Sequence, residues 1–86
     1  MNSNFTRQSS TYIVLVETDR PKQELDRMLD RCPSIVVGSS LYPGLAGLSF
    51  RAEGDDAARE VALAVADGSA CTLRTGYGIH QREVAL

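Results

Sequence analysis

Apolar residues follow one another without interruption over residues 12–16, and this run is the strongest pattern in the chain. A strand with one face in water alternates apolar and polar residues, whereas a strand covered on both faces is apolar throughout. Residues 11–18 are therefore predicted to form an interior strand. We expect Asp19 to be the N-cap of a following helix, and Pro21 suits the first turn of that helix, where no backbone N–H donor is needed.

Two later segments show the periodicity of amphipathic helices. The first begins at Pro21 and ends near residue 31, with a predicted buried stripe of Leu25, Met28, Leu29 and Cys32. Its opposite face is predicted to lie in water and carries the charged residues Lys22, Glu24, Asp26, Arg27 and Asp30, among which Glu24–Arg27 and Arg27–Asp30 are favourable pairs three residues apart. The second covers residues 57–66, with a predicted stripe of Ala58, Val61, Ala62 and Val65. Residues 54–56 supply its turn and N-cap, and Gly68 is expected just after its end.

The remaining apolar segments predict strands. Residues 34–41 form a second strand with Ile35, Val37 and Leu41 on one side, and Pro43 and Gly44 fit a type II turn. A third strand over residues 46–53 alternates strictly, with these residues inward: Ala46, Leu48, Phe50 and Ala52. A fourth begins near residue 70, with Cys71 and Leu73 inward. Residues 79–84 either continue it or fold back as a fifth strand.

The predicted order β-α-β-β-α-β is that of the ferredoxin-like plait, an α+β fold with two helices on one face of an antiparallel sheet. Residues 1–10 are expected to be a flexible N-terminal arm and residues 11–86 a single domain. The sheet face without helices is called here the open sheet face. Our assignment places on it Tyr12, Val14, Val16, Val36, Ser49, Arg51 and Arg74. The reversed assignment, with Ile13 and Leu15 on that face, fits the apolar run equally well, and either version predicts an interaction surface.

The composition narrows the classes of partner. The formal net charge of −2 gives no general attraction for nucleic acid or anionic membranes. An RNA surface built on Tyr12, Arg51 and Arg74 would need further outward aromatic residues, which the third strand lacks. No apolar run is long enough to span a bilayer, and residues 1–10 lack the apolar block of a signal peptide, so a cytoplasmic location is expected. Eight Arg against one Lys indicate a GC-rich coding sequence, bacterial or phage.

No catalytic or metal-binding constellation is visible. The two cysteines, Cys32 and Cys71, are expected to be reduced, and the single histidine has no close Cys or His with zinc-ligand spacing. We therefore predict no metal, no cofactor and no enzymatic activity. Residues 76–80 are interpreted as a glycine bulge that presents Tyr77 and His80 to a partner, and an acid–base role for His80 ranks behind this interpretation.

Asp19, Arg20 and Pro21, directly after the first strand, resemble the start of an ACT regulatory domain, a ferredoxin-like module that binds amino acids at subunit interfaces. The resemblance covers this strand, this turn and the order of elements. The family's pattern continues with glycine, whereas this chain has Lys22. The resemblance implies an amino-acid site at a dimer interface, formed by Asp19, Arg20 and Lys22.

The function predicted from the sequence is that of a non-enzymatic protein-interaction or regulatory domain. It would act through the open sheet face or the edge at residues 76–80, and it would bind itself as a homodimer or another protein. Its predicted partner-binding residues are Tyr12, Val14, Val16, Arg51, Arg74, Tyr77 and His80. The alternative is an ACT-like sensor of a small molecule.

Overall fold

The computed structural model describes residues 10–32, 35–75 and 81–86. These residues form two helices and five strands, in the order β1 (Ser10–Glu17), α1 (Pro21–Arg31), β2 (Val36–Tyr42), β3 (Leu45–Ala52), α2 (Asp55–Ala66), β4 (Cys71–Thr75) and β5 (Arg82–Ala85). The strands form one antiparallel sheet in the order β2-β3-β1-β4-β5. The predicted α+β class is confirmed, and the last segment folds back as a fifth strand.

The core lies between the sheet and both helices. Tyr12, Val14 and Val16 of β1 are opposite Phe50, Leu48 and Ala46 of β3. These strand residues share one buried cluster with residues of both helices: Leu25, Met28, Ala58, Ala62, Val65 and Ala66. The inward set predicted for β3 is therefore confirmed. Within the described ranges, no helix combines the length and apolar character needed to cross a bilayer.

The structure corrects the assignment of β1 to the two sheet faces. Tyr12, Val14 and Val16 are at most 3% exposed and face the helices, so the reversed assignment, with Ile13 and Leu15 on the open sheet face, is the correct one. The error has a simple cause: both faces of β1 are apolar, and its own pattern cannot choose between them.

Leu15 is buried although it lies on the open sheet face. It is opposite Gly47 of β3, and a Cβ on Gly47 would lie only 3.1 Å from Leu15 Cδ2. The missing side chain therefore gives Leu15 room to pack against the backbone of β3. As a result, this face is less apolar at its surface than the sequence of β1 implies.

The turns and helix ends agree with the sequence in part. Gly44 has the predicted positive φ, at +80°. However, Asp19 is not the N-cap of α1: Arg20 occupies that position, and its backbone N–H donates to Thr18 Oγ1 at 3.0 Å. α2 begins earlier than predicted, with Gly54 as its N-cap and no side-chain cap.

Two residues of α1 differ from their predicted environment. Leu29, predicted to be buried, is 40% exposed, whereas Glu24, predicted to be solvated, is 8% exposed. Arg31 Nη2 lies 3.4 Å from Glu24 Oε2, and its Nε donates to the carbonyl oxygen of Val65 at 3.2 Å. This arginine connects α1 to the end of α2 and allows the carboxylate to be buried in a charge-paired state.

Candidate interaction surface at the sheet edge

Exposed apolar side chains are concentrated at one edge of the sheet. In the described part of the chain, eight large apolar residues are substantially exposed, and five of them lie in or directly before β2. These five are Ile35, Val36, Val37, Leu41 and Tyr42. A sixth, Leu29, is on α1, which contacts β2. Residues 35–42 are called here the β2 edge.

The position of β2 explains this exposure. It is the terminal strand of the sheet and pairs only with β3 among the described strands. By its register, Leu41 lies opposite Ala46 on the helix side, whereas Tyr42 lies opposite Leu45 on the open side. The register shifts between Val36 and Gly38, so Val37 is an extra residue in a β-bulge. Hence no described strand lies along one side of β2, and the side chains of β2 are only partly covered.

The two edges of the sheet differ in charge. The β2 edge reads IVVGSSLY and contains no Asp, Glu, Lys, Arg or His. β5, at the other edge, has four residues, including Arg82 and Glu83. Charges and short length are the usual means by which proteins prevent edge strands from pairing with other chains. Of the two edges of the described sheet, the β2 edge lacks both of these features, although it carries the bulge at Val37.

The open sheet face is more polar than predicted. Arg51 is exposed there, and Arg74 forms an ion pair with Glu83 across β4 and β5, with an Nη2–Oε2 distance of 2.6 Å. Of the eight exposed apolar residues, only Tyr42 can be placed on this face by its register. Arg51 and Arg74 therefore share the open sheet face, but the predicted patch of exposed apolar side chains does not lie there. Tyr77 and His80, the other predicted partner-binding residues, lie outside the described residues.

Tyr12 forms a polar contact at the far end of the core. Its hydroxyl donates to Asp55 Oδ1 at 2.8 Å, and Arg82 Nη2 lies 3.4 Å from Asp55 Oδ2. This hydrogen bond and the charge of Arg82 lower the pKa of Asp55, while burial and the same bond raise the pKa of Tyr12. At neutral pH the carboxylate is charged and the phenol neutral, so neither is poised for proton transfer.

Two of the cavities lined by described residues bear on the candidate sites, and the first of them adjoins Tyr12 and Asp55. The first, of about 170 Å³, lies between α2 and the β4–β5 pair and is lined mainly by Tyr12, Asp55, Arg59, Leu73 and Val84. The second, of about 150 Å³, lies at the turn after β1 and is lined by Thr18, Asp19, Arg20, Gln23, Glu24 and Arg27. It contains two of the three residues that the ACT resemblance implies, whereas Lys22 is exposed and does not line it.

Metal binding and nucleophilic chemistry have little support among the described residues. They contain no cluster of three or more His, Cys, Asp or Glu residues that could hold a metal ion. Cys32 and Cys71 are not joined by a disulfide, and burial raises the pKa of the Cys71 thiol, which makes it a poor nucleophile.

Comparisons with protein-family models, curated proteins and solved structures gave no match. The proposals that follow therefore depend on the geometry of this chain alone. Sequence reasoning did not single out the β2 edge, although its one available signal, an uncharged run of eight residues, is visible in the sequence.

Proposed function

We propose that this chain is a non-enzymatic protein-interaction domain that works through the β2 edge. The proposal includes a ferredoxin-like plait extended by β5, which is supported by the element order and by the central position of β1 between β3 and β4. A cytoplasmic location and a bacterial or phage source remain predictions from the sequence.

The observation that carries this proposal is the group of apolar side chains on an uncharged edge strand. Ile35, Val37 and Leu41 are 75%, 54% and 51% exposed, which together equals the exposure of about two whole side chains. At roughly 1.5–3 kcal/mol for each side chain, their burial would contribute about 3–5 kcal/mol to binding. Backbone hydrogen bonds to an added strand would contribute further, against the cost of association.

Strand addition is the mode of recognition that this geometry favours. A partner strand placed beside β2 would use the backbone donors and acceptors on the side away from β3, and the exposed side chains would form the contacts that give specificity. Binding of this kind needs no rearrangement of the core, because the residues of the β2 edge are already at the surface.

Affinity capture from the source organism with matched variants tests the proposal. Leu41→Lys places a charge on the edge, and Leu63→Lys places the same charge on α2 at a residue of similar exposure, 46% against 51%. We expect wild type and Leu63→Lys to retain the same bound protein, this chain or another, and Leu41→Lys to lose it. Capture that is identical for all three proteins would contradict a role for the β2 edge.

The second cavity supports a second candidate function, an ACT-like sensor of amino acids. Its lining by Asp19 and Arg20 supplies both signs of charge for an ammonium and a carboxylate group. A ligand at ten times its Kd stabilises the native state by about 1.4 kcal/mol, enough for a rise in Tm of several degrees. Thermal unfolding with each amino acid at millimolar concentration, repeated for Lys22→Gly and Arg20→Ala, tests this candidate.

The sensor hypothesis makes opposite predictions for the two variants. Lys22→Gly should increase the ligand-induced shift, because it opens access to the backbone after the turn, and Arg20→Ala should remove the shift. An unchanged Tm for wild type and Lys22→Gly with every amino acid would eliminate the sensor.

A further inference from the structure

We propose that the occupant of the β2 edge is a second copy of this chain, with two β2 strands paired antiparallel about a two-fold axis perpendicular to the sheet. This inference rests on the proposed function and names its partner. The result would be one continuous sheet of ten strands, with the helices of both copies on the same side.

The absence of charge makes this edge compatible with itself. In a two-fold interface a residue near the axis meets the same residue of the other copy, so any charge there would oppose a like charge. The β2 edge has no Asp, Glu, Lys or Arg, whereas β5 would bring Arg82 and Glu83 close to their own copies. An edge adapted to a different protein would gain specificity from complementary charges, and none are present.

The side chains of β2 select a register. Its regular part begins at Gly38, after the bulge, and ends at Tyr42. An axis at Ser40, the centre of this part, places Tyr42 of each copy opposite Gly38 of the other, on the open side. A Cβ built on Gly38 meets no atom within 4 Å apart from its neighbours in the chain, so the tyrosine ring has room to cover this glycine. Pairing of an aromatic residue with an edge glycine is a known means of fixing register.

The same register joins the apolar residues on the helix side. Leu41 of each copy lies opposite Ser39 of the other, which brings the two Leu41 side chains into diagonal contact across the axis. Both leucines are about half exposed in one copy alone. Pairing therefore buries the most central apolar side chain of the regular part of β2, and it does so on both copies at once.

Sedimentation equilibrium of the full chain between 1 and 100 μM tests the partner. We expect a mass of twice 9.3 kDa for wild type and Leu63→Lys at 100 μM. In sedimentation, Leu41→Lys should have a Kd for dimerisation at least ten times that of wild type, while circular dichroism should show that it remains folded. A second measurement tests the register: Ser40→Cys faces its own copy and should form an intermolecular disulfide on mild oxidation. Ser49→Cys lies one strand further from the axis and should form no more intermolecular disulfide than wild type, which carries the two native cysteines.

The outcomes separate this inference from the proposed function. A wild-type monomer at 100 μM would overturn the second copy as partner, while loss of a different captured protein in Leu41→Lys would still support the β2 edge as a binding site. A dimer with the same Kd in Leu41→Lys as in wild type would overturn pairing of two copies through the β2 edge, and unchanged capture as well would overturn the proposed function. Cross-linking of Ser40→Cys no faster than that of Ser49→Cys would overturn the proposed pairing.

Discussion

Phe50 is the side chain whose truncation tests the packing of this fold most directly. It is fully buried, lies between Tyr12 of β1 and Val36 of β2 in the sheet, and stacks on the Tyr12 ring with centroids 6.0 Å apart and planes inclined by 22°. Truncation of a buried phenylalanine to alanine costs about 3–5 kcal/mol, of which such a ring pair contributes about 0.5–1.5 kcal/mol. The whole chain is expected to be stable by only about 4–13 kcal/mol, so Phe50→Ala removes a large fraction.

The assay is urea unfolding followed by circular dichroism at pH 7. Phe50→Leu keeps most of the volume and should lose about 1–1.5 kcal/mol, which provides a measurement even if Phe50→Ala does not fold. Leu63→Ala, at an exposed residue of α2, is the control and should remain within about 0.5 kcal/mol of wild type. A loss of less than about 1 kcal/mol for Phe50→Ala would refute the packing described for β3.

Two further predictions concern polar contacts between elements. Tyr12→Phe removes the hydrogen bond to Asp55 and should lower Tm at pH 7. Because this bond lowers the pKa of Asp55, its contribution exists above the ordinary carboxyl pKa of about 3.9 and is lost as pH falls through the lowered value. The difference in Tm should therefore shrink below about pH 4 in a thermal unfolding series, and a constant difference would contradict this account. Arg31→Ala leaves the buried Glu24 without its closest cation and should lower the free energy of unfolding, measured in urea, by about 1–3 kcal/mol. Arg31→Lys should recover only part of this loss. An unchanged free energy of unfolding would show that the ion pair does not stabilise the fold.

Local patterns predicted those parts of the fold in which one interpretation satisfied every residue. The alternation of β3 has only one inward set, and Pro43 and Gly44 allow few turns, so both predictions hold. For β1 the pattern had two solutions, and the neighbouring strands decided between them. Since Val14 faces the helices and is fully buried, Val14→Asp would break the core, whereas an aspartate on the open sheet face would only alter the surface.

The features that sequence reasoning missed depend on contacts between distant residues. Glu24 is buried because Arg31 reaches both its carboxylate and Val65 of α2, 34 residues beyond Arg31 in the chain. Tyr12 and Asp55 are 43 residues apart, and neither has a sequence signal for the other. The bulge at Val37 changes which side chains of β2 share a face. It could not be predicted, because it depends on the register with β3.

The difference between the two sheet edges would limit how far the proposed assembly could grow. A sheet with two edges open to pairing can add neighbours at both ends and lengthen into a fibre, as amyloid does. Here one edge is free of charge and the other is short and charged, so a chain that joins its neighbour through β2 presents only β5 at the outer ends. Growth would stop after a single step. If two copies pair as proposed, the short, charged β5 at each outer end would therefore prevent further strand pairing, and the dimer would not polymerise.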